Sequence, residues 1–274
     1  MAISWSLDSA NGKFTIEQIA SRPTVYLDNW AYQLLINDSS RGTLFIDLLN
    51  NLSGTLAVSA VSLLEVVRRT DIKQIKKILE LIDSVDGVFI EFNPSKVIKR
   101  EKLSRGYNQT SPAADIDLLE AYILHAHDPG KPFKLSEAFN AYLNYLGETG
   151  TEFRERFEET LNPIINKARD DPGLLLKAKK RFERKGNITF PCTEYLYEKC
   201  IDFIVINSTM KMSNAEWRDV FHLIVSVSYC DFVIIDSRWV QFVKQTGLNP
   251  PNIATIYNKS GFDKFLSDLN NFTK

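Results

Sequence analysis

Four acids in this chain stand where carboxylates could do chemistry. Asp28 closes the run Thr24-Val25-Tyr26-Leu27, and Asp236 closes Val233-Ile234-Ile235. Glu65 lies one to two turns into a helix expected after the strand Thr55–Ser59. Asp219 falls in the second turn of a helix whose start is marked by Ser213 and Glu216, spaced as a capping box. Open parallel sheets bind ligands at the carboxyl ends of their strands, where connections diverge, so acids at these places can meet in one cleft. Four carboxylates brought together repel one another and take up protons unless a cation intervenes. An all-oxygen set of this kind suits a hard divalent ion, Mg²⁺ or Mn²⁺.

Each acid also has a structural reading. Asp28 could end its strand or cap the helix that follows. Ser62 and Glu65 have the spacing of a capping box, although a helix beginning directly after Ser59 carries Glu65 past the cap. Asp236 follows an apolar run and is expected to be buried, where a lone carboxylate is costly. Asp231 is read as opening its strand.

The elements that must position these acids follow from periodicity. Residues 24–92 read as strand (24–28), two helices (30–36 and 42–52, closed by Gly54), strand (55–59), two helices (60–69 and 72–85) and strand (88–92). That alternation predicts a parallel sheet with helices on both faces. The rhythm resumes with a helix at 193–206, the helix-to-strand stretch 216–239, a strand at 252–257 and a helix at 262–269. Residues 1–22 are weakly patterned, with a short helix expected near Ile16–Ala20. Between the halves, helices are expected near 114–127, 136–147, 152–168 and 174–185, separated by Pro and Gly. The predicted organisation is therefore an α/β domain over 23–92 and 193–270, with 93–192 as a helical insertion.

Composition narrows the class. The 274 residues are 44% hydrophobic and 24% charged, ordinary for a globular protein. No run of 18 apolar residues appears, so no membrane partner is expected. Cys192, Cys200 and Cys230 include no CxxC pair and fit free thiols in a cytoplasmic setting. The net charge is −1, so any nucleic-acid affinity must come from local basic patches.

Taken together, VYLD28, SAVSLLE65 and RD219VFHLIVSVSYCDFVIID236 resemble the motifs of PIN-domain nucleases, with His222 in a D-x-x-H position. The resemblance covers about 23–92 and 193–270. It departs at Asn29-Trp30, directly after the first acid, and at Ile234, two residues before the last. It implies a PIN-like, three-layer α/β fold and metal-dependent phosphodiester hydrolysis, most readily as an endoribonuclease. Mg²⁺ or Mn²⁺ would be held by Asp28, Glu65, Asp219 and Asp236, with Asn29, Ser59, His222 and Ser237 as polar neighbours. The implied partners are nucleic acid (RNA ahead of DNA), an inhibitor protein of the antitoxin kind, and a second copy of the chain. The alternative is a non-catalytic PIN-like scaffold that binds RNA or protein. A haloacid-dehalogenase-like phosphatase is disfavoured, because its second acid would fall at Trp30.

Two basic stretches could hold a phosphate backbone. One is Lys96, Lys99, Arg100, Lys102 and Arg105; the other is Lys177, Lys179, Lys180, Arg181, Arg184 and Lys185. The second lies inside the insertion, which suggests a substrate-guiding wall. His125, His127 and Asp128 are read as a helix end before Pro129-Gly130.

Overall fold

A computed structural model describes residues 3–8, 13–67, 71–103, 114–120, 134–184 and 192–273. Its centre is a five-stranded, wholly parallel sheet: β3 (Thr24–Leu27), β4 (Thr55–Ser59), β5 (Gly87–Ile90), β6 (Phe232–Ile234) and β7 (Thr255–Tyr257), in the order β5-β4-β3-β6-β7. The first three strands step outward in one direction, and the chain then returns to lay β6 and β7 on the other side of β3. The connections therefore diverge between β3 and β6.

The strands are short and β-branched because side chains are buried on both faces, as parallel sheets require. Val25, Leu27, Leu56, Val58, Phe89, Phe232, Ile234 and Tyr257 point to one core. Their neighbours Tyr26, Ala57, Val88, Ile90, Val233 and Ile235 point to the other. The first core is covered by α1 (Asn29–Asn37), α2 (Ser39–Asn51), α4 (Ile72–Asp83) and α11 (Phe262–Asn270). The second is covered mainly by α8 (Thr193–Ile206), α9 (Asn214–Tyr229) and α10 (Ser237–Thr246). The remaining helices are α3 (Ala60–Val67), α5 (Pro94–Leu103), α6 (Leu135–Asp170) and α7 (Pro172–Glu183).

Three local expectations are corrected. The N-terminal stretch is an antiparallel hairpin, β1 (Ile3–Asp8) with β2 (Lys13–Gln18), and not a short helix. In β2, Phe14 and Ile16 alternate with Thr15 and Glu17, a period of two that outweighs any helical reading. The Gln18 amide ties the hairpin to β5, donating to the Phe89 carbonyl and accepting from the Phe89 N–H, both at 2.9 Å.

The helices expected at 136–147 and 152–168 are one continuous helix, α6, of 36 residues and about 54 Å. Gly147 does not end it and Pro163 lies within it. An internal glycine costs only about 1 kcal/mol against alanine, which packing against α4, α7, α8 and α9 can override. Pro172-Gly173, read as a separator, instead forms the first turn of α7, where proline is well suited and Asp171 caps the exposed N–H groups. The helix expected at 114–127 is helical at 116–120, and its remainder lies outside the described residues.

Gly54 leads from α2 into β4 where no side chain fits. A Cβ there would stand 2.6 Å from Leu49 Cδ1 and 2.7 Å from the Pro23 carbonyl oxygen. That carbonyl also accepts the Thr55 N–H that opens β4. Gly54→Ala should therefore destabilise the fold by about 2 kcal/mol, the scale of overpacking a dense core, read as a lowered midpoint of thermal or urea unfolding.

Candidate functional site

The acids meet at the β3/β6 divergence. Asp28 directly follows β3, and its backbone N–H bonds to the Ile234 carbonyl at 3.0 Å, holding the two strand ends together. It is also the N-cap of α1, with its carboxylate accepting the Asn29 N–H at 2.6 Å, so the capping role is real and takes one oxygen. Asp236 is the N-cap of α10, yet its carboxylate makes no capping bond and is exposed. This corrects the expectation of a buried acid: Ile235 is the last buried residue of the run, and the chain turns outward at Asp236.

Glu65 is brought in by α3. That helix starts at Ala60, with Ser59 and Ser62 as reciprocal caps: each backbone N–H bonds to the other's hydroxyl, at 3.0 and 3.1 Å. Ser62 is thus committed to Ser59, and Glu65 lies beyond the cap. Asp219 is placed by the capping box at Ser213 and Glu216 that starts α9, which puts it in the second turn. Asp231, by contrast, sits at the opposite end of the sheet. It accepts the Thr24 N–H at 2.7 Å and pairs with Arg22 at 2.5 Å, tying the starts of β3 and β6.

The four carboxylates feel one another. Burial first, and then Asp236, push Asp28 up to about 8, with Glu65 and Asp219 adding to the repulsion. Burial, Glu65 and Asp236 likewise push Asp219 up to about 7. The Trp239 indole draws Asp219 downward, although Nε1 makes no hydrogen bond of normal geometry.

Two arginines enter the same cleft. Arg218 Nε stands 3.6 Å from Glu65, and Arg238 stands 3.6 Å from Asp219. Arg238 holds Glu216 more tightly, at 2.7 Å, and stacks on Trp239 with its guanidinium carbon 4.8 Å from the ring centre. Raised pKa values of this kind favour the protonated carboxyl, which lessens the mutual repulsion. The donor chemistry fits a hard divalent ion, being carboxylate oxygen throughout. The spacing does not yet close: among the described residues, no three His, Cys, Asp or Glu side chains are grouped to grip one ion.

Beneath the acids, His222 is buried, and its Nδ1 is hydrogen-bonded to the Tyr26 hydroxyl, which also reaches Ser59 at 3.3 Å. Burial and the Arg218 charge push His222 down to about 3, so the ring is neutral at pH 7. Among the described residues its Nε2 has no hydrogen-bond partner. Ser59 and His222 are therefore supports under the cleft and not an acid–base pair. Ser237 accepts from the Asn258 amide at 3.0 Å, joining α10 to the end of β7. Trp30 packs edge-on against Phe262 and belongs to the core.

Sequence reasoning missed Tyr26, Arg218 and Arg238. Each was signalled by position: Tyr26 two residues before Asp28 on the strand, Arg218 adjoining Asp219, and Arg238 two residues after Asp236.

The basic stretches divide. Lys96 pairs with Asp117 at 2.5 Å, Arg100 approaches Glu91 at 3.8 Å and Lys102 pairs with Glu194 at 2.5 Å, so the first is largely engaged within the protein. In the second, Arg181 bonds buried Asp202 at 2.5 and 3.0 Å and is structural. Lys177, Lys179, Lys180 and Arg184 are exposed on or just beyond α7. Arg105, Lys185, His125, His127 and Asp128 lie outside the described residues. Cys192, Cys200 and Cys230 are free and buried, and among the described residues no helix is long and apolar enough to cross a membrane.

Compared with protein-family models, curated proteins and solved structures, the chain gives no match.

The raised Asp28 pKa fixes the sign of a pH effect. Between about pH 4, where an unfolded aspartate ionises, and about 8, the folded state holds a proton that the unfolded chain has released. Stability from this group therefore falls as pH rises through that window. In chelator, Asp28→Asn should unfold with the wild type below about pH 4 and exceed it by on the order of 5 kcal/mol above about pH 8. Urea titrations across pH read the difference.

Proposed function

We propose that the chain is a divalent-metal-dependent nuclease of the PIN-like kind, cutting phosphodiester bonds in RNA more readily than in DNA. The observation that carries this reading is the convergence of Asp28, Glu65, Asp219 and Asp236, from four separate elements, on the divergence point of a parallel sheet. Among the described residues Arg218 and Arg238 pair with two of these acids, and burial with mutual repulsion raises Asp28 to about 8 and Asp219 to about 7.

In this reading Asp28, Glu65, Asp219 and Asp236 would hold Mg²⁺ or Mn²⁺. When bound, such an ion activates water and neutralises charge on the phosphate being cut. Asp236, exposed and free of capping duty, is the carboxylate best placed to meet an ion arriving from solvent. Asp28 is held rigid by the Asn29 N–H and by the backbone bond to Ile234. Glu65 and Asp219 give up their 3.6 Å arginine pairs, leaving Arg218 and the Nη2 side of Arg238, which Glu216 does not hold, to face phosphate oxygens. Tyr26 and the neutral His222 keep the floor of the cleft packed and dry.

The arginine pairs favour one second reading. If Glu65–Arg218 and Asp219–Arg238 are permanent, the fold serves as a scaffold for RNA or a protein partner without cutting. A Mn²⁺-supplemented assay on single-stranded RNA separates the two. Cleavage by the wild type should fall by about 10²-fold or more in Asp28→Asn and in Asp236→Asn. Equal cleavage by all three proteins defeats the enzyme reading.

The insertion is assigned to guiding substrate, through Lys177, Lys179, Lys180 and Arg184 on the exposed side of α7. Reversing these four charges should weaken RNA binding and flatten its salt dependence, while Mn²⁺ affinity measured by calorimetry stays unchanged. Arg181 is left in place because it holds Asp202.

A further inference from the structure

A cavity of about 360 Å³ lies between α6 and the 208–213 segment leading into α9. Arg169 lines it. Its Nη2 donates to the carbonyls of Ile204, Asn207 and Met210 at 2.8, 2.9 and 2.9 Å, tying the guanidinium to the end of α8. Those three acceptors share a single nitrogen of a group that carries five N–H donors. Nε is buried with no partner, and among the described residues no carboxylate pairs with the group. Burial alone acts on its pKa, lowering it. A partly buried charge balanced only by carbonyl dipoles leaves its counter-ion to come from outside.

The same cavity holds further unspent donors. Lys211 is exposed on its wall and forms no ion pair among the described residues. Asn166 and Ser208 also line it. One acid, Glu158, lines the cavity too, but it lies eleven residues from Arg169, about 16 Å along α6, and its carboxylate accepts the Asn214 N–H at 2.6 Å. The Arg169–Lys211 end is therefore positive and rich in donors.

We propose that this cavity binds a phosphate group between Arg169 and Lys211. A guanidinium charge with N–H donors left at Nη1, beside an ammonium, is well matched to phosphate oxygens. The phosphate could belong to a nucleic-acid backbone or be a free anion. In the backbone form the inference rests on the nuclease reading. Ser213 both lines the cavity and caps α9, and Asp219 follows six residues on, about 9 Å along the helix axis. The cavity would then grip a phosphate beside the one that is cut, and set how substrate lies across the acids.

The test uses the full chain in chelator, so metal plays no part. A short 5′-phosphorylated single-stranded RNA is followed by fluorescence anisotropy, and inorganic phosphate by calorimetry. Lys211→Glu, on an exposed side chain, and Asn166→Asp, which adds negative charge to the cavity, should each weaken binding by about tenfold with unchanged melting midpoints. Arg169→Lys should weaken binding less, since it keeps the charge and loses the fork. Weakening for both probes assigns a phosphate site as such, and weakening for RNA alone assigns the backbone. Unchanged affinity for both probes in Lys211→Glu and Asn166→Asp overturns the inference, as does a wild type that binds neither. A wild type that binds these probes but shows no Mn²⁺-dependent cleavage would sink the nuclease reading alone.

Discussion

Mutual repulsion among carboxylates at one end of the sheet is the constraint around which this molecule is arranged. Asp28 and Asp219 are driven to about 8 and about 7 by burial and by their acidic neighbours. A fold that accepts such a charge concentration must hold it rigidly elsewhere. Here the holding is done by β3 and β6, which share a backbone bond from Asp28 to Ile234 and are tied at the other end through Asp231, Thr24 and Arg22. The acids sit at the end the sheet leaves open.

The arginines give that repulsion an outlet. Arg218 and Arg238 approach Glu65 and Asp219 at 3.6 Å, longer than a normal charge-assisted hydrogen bond. Arg181 on Asp202, at 2.5 and 3.0 Å against a carboxylate that is 1% exposed, shows what a fixed pair looks like in the same protein. Arg169, held by three carbonyls and, among the described residues, by no carboxylate, is a third case: a cation positioned by backbone dipoles with part of its donor set unspent.

Long-range packing decides where these charges lie. α6 begins beside β5, with Leu135 against Gly87 and in the first core, and reaches Ile165 in the second core. It thereby packs against α8 and α9, the helix that carries Asp219. The Trp217 indole donates to Asn162 on α6 at 2.9 Å, fixing that helix–helix contact one and a half turns before His222.

Legible in the sequence alone were the alternation of strands and helices over 24–92 and 193–270, the parallel sheet, and the placement of two acids at strand ends and two in the second turns of helices. Those are local properties: β-branched runs bounded by acids and glycines, 3.6-residue periodicity, and the Ser213–Glu216 cap. It misread the hairpin at Ile3–Gln18 and divided α6 at Gly147, because a weak local preference there is overridden by docking on β5 and on four helices. Only the tertiary structure decided that Asp236 is exposed, that Arg218 and Arg238 share the acids' cleft, and that Arg181 is committed to Asp202. Each of those outcomes depends on which distant element supplies a neighbour, and charge strength depends on distance and burial, neither of which is written in the spacing of residues along the chain.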